Sequence, residues 1–365
     1  MTERATQADD LGPTRDAASN RNTVVEHIRR RILASELPPG ERLPTRQCLK
    51  ASLGVCMATL QQAFDQLEED GFIYSKARQG TFVSEKPPHL FHYGLVLPPD
   101  AEQQWTGFTA GMLRAITRME KATSRRFSIY RDVDEHTDTP SHQRLLADLQ
   151  AHRLAGLILR GAPALPLART PLLVGSSIPK VAIHADGSPD LPAVTGNYRS
   201  FIDKALDYFS KGRSRQRVAF INNYAYRPPL LRHLAEGARA RGMQIERRWI
   251  HEVQVPGTRS LVEMMLSIPA PLRPDALLIG DENLTDEACI GLVAAGLKPL
   301  VDIDVVAHCN FPAERPALLP MKRLGWSIDQ YLEAFVSLID RQRRGEKVPE
   351  LIEVEPLFEE EVQRS

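Results

Sequence analysis

The sequence has no long apolar run; nothing in it approaches the roughly 18–20 residues that a membrane span requires. Cysteine is scarce. Cys48, Cys56, Cys289 and Cys309 show no C-x-x-C spacing, so neither a zinc site nor a disulfide framework is indicated, and a reducing cytoplasm fits. Catalytic signatures are missing too: there is no G-x-S-x-G elbow, phosphate-cradling G-x-x-x-x-G-K-[ST] loop, H-E-x-x-H, or strand-linked G-x-G-x-x-G. His308-Cys309 is a poor nucleophile pair, because adjacent strand residues point to opposite faces. The expectation is therefore no enzyme, no cofactor and no metal. Net charge is zero over 365 residues, which removes any chain-wide basicity for nucleic acid. Residues 1–20 lack the apolar core of a signal peptide and read as a disordered leader.

What the chain does have is length for two or three domains and the 42% apolar, 25% charged profile of a soluble globular protein. The most informative stretch lies within residues 21–84, expected as a first domain. Val24, Ile28 and Ile32 recur at helical spacing, and Pro38-Pro39-Gly40 stops that helix. Thr45 is a fitting N-cap for a short second helix with Leu49 and Leu53 inward. Gly54 makes a turn. A third helix from Met57 carries Leu60, Ala63, Phe64 and Leu67 on one face, and Gly71 ends it in the left-handed conformation. Phe72–Tyr74 and Thr81–Val83 are predicted as a two-stranded wing with its tip over Ser75 to Gly80. Helix, turn, helix and hairpin in this order make a winged helix-turn-helix, which lays one helix in a DNA groove. The segment holds nine Lys/Arg against seven Asp/Glu, a net of +2, a modest electrostatic footprint for DNA.

If Leu60, Phe64 and Leu67 face inward, Met57, Ala58, Gln61 and Gln62 lie on the outer side of the third helix, where base edges are read. Glutamine pairs bidentately with adenine, and Met57 or Ala58 meets a thymine methyl; alternatively Gln61 and Gln62 are solvated helix positions. Lys76 and Arg78 at the wing tip suit phosphate contacts. Cys56 stands at an N-cap, either as a stand-in for serine or as a thiol activated by the helix terminus.

The motifs P-P-G-E-R-L-P, L-G-V, D-G-F-I and R-Q-G-T-F-V over about residues 22–84 resemble the GntR family of bacterial regulators. The resemblance implies double-stranded operator DNA as partner, with Arg46, Gln47, Cys56, Met57, Ala58, Thr59, Gln61, Gln62, Lys76, Arg78 and Gly80 as the candidate DNA-binding set. Two departures stand out. The family's Ser-Glu-Arg after Leu-Pro is Thr45-Arg46-Gln47 here, and its third-helix basic residues are replaced by Met57 and Gln61. The implied operator is therefore unusual, with Arg46 in a position to supply the missing charge.

Residues 85–91 read as a stiff linker. Beyond it, strand patterns at His92–Leu97, Phe127–Arg131, Gly156–Arg160, Lys180–His184, Arg217–Asn222, Asp275–Ile279 and Val301–Ala307 alternate with helical ones. Such alternation predicts α/β, doubly wound parallel sheets, here in two lobes dividing near 195–200. The order of Tyr93-Gly94-Leu95-Val96-Leu97-Pro98, Leu154–Leu159, Arg217–Ile221 and Val305–Asn310 resembles the LacI-type, periplasmic-binding-protein-like sensor over residues 92–358, leaving 359–365 as a tail. That resemblance implies a small-molecule effector, a sugar or sugar derivative, between the lobes, and a homodimeric repressor. Ligands in such folds sit at the carboxyl ends of strands, which selects Trp105, His184, Asn197, Tyr198, Arg227, Asp281 and Asn310. Each also has a structural reading; Trp105 is as readily a core residue. Two rivals stay open: a sensor half that is only a dimerisation scaffold, and a cleft enzyme fused to a DNA-binding module.

Overall fold

The computed structural model describes residues 15–97, 99, 106–133, 139–160, 177–183, 191–213, 215–223 and 228–362. By contact density the chain divides into two compact units. One comprises Met1–Gly94 with Ser124–Ser128 and Gln143–Gly156, the other Leu95–Thr123, Ile129–His142 and Leu157–Ser365.

The first unit opens with α1 (Arg15–Leu33), α2 (Arg46–Leu53) and α3 (Met57–Glu69), followed by the antiparallel hairpin β1 (Ile73–Lys76) and β2 (Gly80–Val83). Helix α1 thus begins inside the segment expected as a leader. The sequence signals act as predicted. Thr45 caps α2 by accepting the Cys48 N–H at 3.3 Å, and Gly54 closes α2 at φ +66°. Asp70 is the C-cap of α3, and Gly71 follows at φ +78°, a conformation that costs glycine little. Val24, Val25, Ile28, Ile32, Leu49, Leu60, Phe64, Leu67, Phe72 and Val83 form one buried cluster. The predicted linker is only partly extended: Pro88–Phe91 form a short helix, α4, whose first residue is a proline with no N–H to lose.

Two six-stranded sheets follow. The first is built from β3 (His92–Val96), β4 (Arg126–Tyr130), β5 (Gly156–Arg160), β6 (Lys180–Ile183), β7 (Ala193–Gly196) and a late strand, Leu351–Val354. Helices α5 (Thr106–Ala122) and α6 (Pro140–Gln150) are interleaved with it, and the unit division cuts through β3, β4 and β5. After α7 (Tyr198–Arg213) the chain enters the second sheet. There β8 (Val218–Asn222), α8 (Pro228–Ala240), β9 (Ile250–Glu252), α9 (Val255–Leu266), β10 (Ala276–Ile279), α10 (Thr285–Ala294), β11 (Asp304–Phe311) and β12 (Lys322–Ser327) succeed one another. Helix α11 (Ile328–Arg343) leads back to β13 (Leu351–Val354) of the first sheet; β14 (Leu357–Phe358) then joins the second, ahead of α12 (Glu359–Val362). The strand orders are β13-β7-β6-β5-β3-β4 and β14-β12-β11-β10-β8-β9.

Parallel pairing runs through β8–β9, β8–β10, β10–β11 and β11–β12, and through β5–β6, β6–β7 and β7–β13. Strands buried on both faces explain the apolar runs VAFI and ALLI and the buried VVA of the strand Asp304–Phe311. Ala219, Ile221, Leu277, Ile279, Val305 and Ala307 pack against Val262 and Leu266 of α9 and Ala288 and Leu292 of α10. Residues 359–362, expected as a tail, instead form a helical turn tied down by the ion pairs Arg323–Glu359 and Lys322–Glu360.

Candidate functional site

Two places in the fold gather functional side chains. The first is the outer face of α2, α3 and the wing. A cleft of about 390 Å³ there is lined by Arg42, Arg46, Lys76 and Arg78, with Phe64, Thr45 and Gly80, and among the described residues no acidic side chain lines it. Arg46 is stacked over the Phe64 ring at 5.0 Å and donates from Nη1 to Gln61 Oε1. Gln61 Nε2 in turn donates to Asp65 Oδ1 at 2.6 Å. Both ends of the Gln61 amide are therefore held, each by one bond. Lys76 Nζ lies 5.3 Å from the Tyr74 and Phe82 rings. Arg78 takes φ +62° at the wing tip, and a Cβ on Gly80 would meet Arg42 Nε at 2.8 Å.

Met57, Ala58, Gln62, Gln47 and Cys56 are exposed, as a reading face requires, but Thr59 is buried, with its hydroxyl 3.2 Å from Cys56 Sγ. Cys56 occupies the N-cap of α3 without making a side-chain cap. The Thr59 hydroxyl bonded to its sulfur holds that thiol below the ordinary range.

The second place is a cleft of about 430 Å³ in the second unit. It opens between α5, through Gly107, Ala110 and Arg114, and the carboxyl ends of β10 and β11, through Glu282, Asn283, His308 and Asn310. Asn310 donates its backbone N–H (2.8 Å) and Nδ2 (2.5 Å) to Glu282. Burial raises the Glu282 carboxyl, against the pull of these two donors. Asp281, one residue earlier, is also raised by burial; it accepts the Asn283 N–H at 2.9 Å and Nδ2 at 2.8 Å. His308 Nδ1 accepts the Glu282 N–H at 3.3 Å, which leaves the proton on Nε2. Burial pushes the ring down to about 3, and Nε2 has no hydrogen-bond partner among the described residues. Cys309 is pushed up to about 12 by burial, far from a thiolate. Gly107 approaches Glu282 so closely that a Cβ there would collide with the carboxylate. On the first sheet, Arg160 at the end of β5 donates to Thr109 Oγ1 at 2.8 Å and is lowered by burial to about 10.

Of the residues selected from sequence, Asn310 lines this cleft and Asp281 braces its floor. Asn197 instead caps α7, accepting the Ser200 N–H at 3.0 Å, and donates to Glu355 at 2.7 Å. Tyr198 packs edge-on against Trp326 at 4.9 Å in a cluster with Phe201 and His308. Gly196 lies against the Trp326 ring, with no room for a Cβ. Trp105, His184 and Arg227 lie outside the described residues. Sequence reasoning missed Glu282, whose only signal was its place one residue past a strand-end aspartate, and Arg114, which has none.

Residues 20–83 match the sequence model of the bacterial regulatory proteins, gntR family, and form a gntR-type helix-turn-helix domain. Over 63 residues the chain is 38% identical to the mannosyl-D-glycerate transport/metabolism system repressor MngR of Escherichia coli, covering 17% of this chain and 26% of that one. The chain thus spans about a quarter of this curated relative's length. Solved structures of transcriptional regulators are similar to the chain in fold. A glucose-bound LacI family transcriptional regulator from Lactobacillus casei superposes with a TM-score of 0.52 at 18% identity, over 73% of this chain and 97% of that one. The transcriptional regulator CelR–cellobiose complex gives 0.56 at 16%, over 83% and 90%. At such identities the likeness shows the fold alone, that of the two-sheet α/β domain, to which the winged helix-turn-helix of residues 20–83 is joined. Among the described residues no helix is long and apolar enough to cross a membrane.

Proposed function

We propose that this chain is a cytoplasmic, homodimeric transcription regulator, a repressor, whose affinity for operator DNA is set by a sugar or sugar derivative bound beside Glu282 and Asn310. The observation that carries the reading is the joining of a gntR-type helix-turn-helix domain to a LacI-type α/β domain with a polar strand-end cleft. Dimerisation follows from the geometry of reading, since one helix reads a half-site and two-fold pairing reads a palindrome.

The mechanism is a population shift. Ligand stabilises one arrangement of the α/β domain, and the two winged helices of the dimer are re-spaced relative to successive major grooves. A polyol suits the cleft because Glu282 and Asn310 offer acceptors and donors in a fixed frame, and charge-assisted bonds to a carboxylate are the strong ones. The chain is read as non-enzymatic: its cleft cysteine is a neutral thiol, and His308 Nδ1 is tied to a backbone N–H.

The test is isothermal titration of a panel of mono- and disaccharides into the full-length protein, with and without operator DNA. Coupling between two sites is reciprocal, so a bound sugar must change DNA affinity by the factor by which DNA changes sugar affinity. Equal sugar affinity in both titrations would overturn control by ligand. Chemical turnover of the bound sugar would overturn the non-enzymatic reading.

A further inference from the structure

We infer that Arg46, not Gln61, is the base-reading residue of this helix-turn-helix, that it reads a guanine, and that Gln61 is its positioning residue. The inference rests on the DNA-regulator reading above and deepens it by naming what the operator must present.

Three observations carry it. First, Arg46 is the first residue of α2, yet its guanidinium reaches the outer face of α3, where it donates to Gln61 Oε1. It thus stands on the face that reads bases in this fold. Second, the Arg46 guanidinium is held from two directions: its Cζ lies over the Phe64 ring, 5.0 Å from the centroid, and Gln61, itself anchored by Asp65, bonds Nη1. A guanidinium carries five N–H donors. One is spent on Gln61, and the others have no hydrogen-bond partner among the described residues. A planar fork already held in place loses little rotamer freedom on binding, and its spacing matches the O6 and N7 acceptors of guanine. Third, Gln61 is bonded at both ends of its amide, to Arg46 and to Asp65, so its side chain is oriented towards the guanidinium rather than free to turn to a base.

Arg46 also differs from the other cations of its cleft. Arg42 lies beside Gly80, Lys76 is over the rings of Tyr74 and Phe82, and Arg78 is at the wing tip. None of these three is bonded to a side chain of α3 among the described residues, and they suit phosphates, which set register without specifying sequence.

The experiment uses the full-length protein. A site is first selected from randomised duplex DNA. Wild type, R46K and Q61A are then titrated against that site, against random duplex, and against versions carrying 7-deazaguanine, which lacks the N7 acceptor, at each guanine in turn. The expected result is one guanine per half-site whose N7 deletion weakens wild type about 10-fold and leaves R46K unchanged. R46K itself loses about 10–100-fold on the selected site, the range of one good bidentate contact, and little on random duplex. Q61A relaxes discrimination at the same base pair, and melting curves of each variant check that it folds. Should R46K not fold, the wild-type 7-deazaguanine series and Q61A still decide.

Uniform loss by R46K on every sequence would make Arg46 a phosphate contact and overturn the inference. So would a Q61A change at an adenine-containing pair that R46K leaves alone. Failure to select any sequence is a different outcome, since it would overturn the DNA-regulator reading itself.

Discussion

Arg29 and Asp70 form a buried ion pair, Nη2 to Oδ2 at 2.8 Å, that joins α1 to the C-terminal end of α3. Their side chains are 3% and 6% exposed. The second oxygen of Asp70 accepts from Arg153 at 2.8 Å, within the same compact unit, and Arg153 also pairs with Asp148. One carboxylate at the end of α3 therefore answers both to α1 and to the segment between α6 and β5. Removing one partner of a buried pair strands the other charge, at a cost of about 3–5 kcal/mol. Asp70→Ala is expected to destabilise the protein by an amount at or below the low end of that range, because Arg29 stays buried but keeps Glu26 at 2.7 Å from Nη1. Arg153→Ala, with Arg153 30% exposed, is expected to cost less than about 1 kcal/mol. Urea unfolding of the two variants checks the order; equal effects would show that the outer arginine carries the pair.

The N-cap of α3 offers a stabilising change. Cys56 has extended backbone angles, φ −79° and ψ 164°, but its sulfur makes no cap bond, so the first N–H groups of α3 lack that partner. Cys56→Ser puts a strong N-cap oxygen there, and about 0.5–1 kcal/mol of added stability is expected. A rise in the urea midpoint with unchanged slope would bear this out. No rise would mean that the Thr59 hydroxyl competes for the serine as it does for the sulfur.

Much of this architecture was legible in the sequence, for local reasons. Thr45, Gly54 and Gly71 act at single positions that depend on their own backbone, and each does what its chemistry dictates. Gly156–Arg160 was read to the residue, because a short apolar run bounded by breakers has few alternatives. The strand Ala193–Gly196 was missed: it has four residues and ends in a glycine whose presence is dictated by Trp326, a partner 130 positions away. Strand Lys322–Ser327 was missed too: its two leading cations are paired to glutamates of the last helix, contacts no local pattern shows. The bonds of Gln61 were hidden in the same way. Gln61 looked free because its partners Arg46 and Asp65 come together only once α2 has packed on α3. Asn197 was selected for its strand-end position, which does not reveal that its amide caps the next helix.

The cleft makes a prediction about ligand binding rather than stability. Glu282 and Asn310 are bonded to each other at the mouth of β11, and Asn310→Ala removes one donor from the buried carboxylate and one from the cleft. A sugar that binds the native state stabilises it by mass action, about 2.7 kcal/mol at a hundredfold excess over Kd. That thermal stabilisation is expected in the wild type and absent from Asn310→Ala and Glu282→Gln, both of which should still bind DNA. Retained sugar stabilisation in both variants would place the effector elsewhere.

His308 gives the protein a pH dependence whose sign is fixed by burial. In the unfolded chain a histidine takes up its proton near 6.5, whereas the buried ring does so only at about 3. Between those values the unfolded state binds the extra proton, so stability falls as pH drops. The slope from this one group is at most about 1.4 kcal/mol per pH unit. Glu282 acts in the opposite sense: its raised carboxyl is protonated earlier in the folded state, which adds stability as pH falls through that folded value. Subtracting His308→Gln from wild type isolates the histidine. The difference in unfolding free energy is expected to shrink in favour of the variant as pH is lowered from 6.5 towards 4, measured by urea titration at each pH. Parallel curves over that interval would show that water reaches the ring and that His308 titrates as an ordinary histidine.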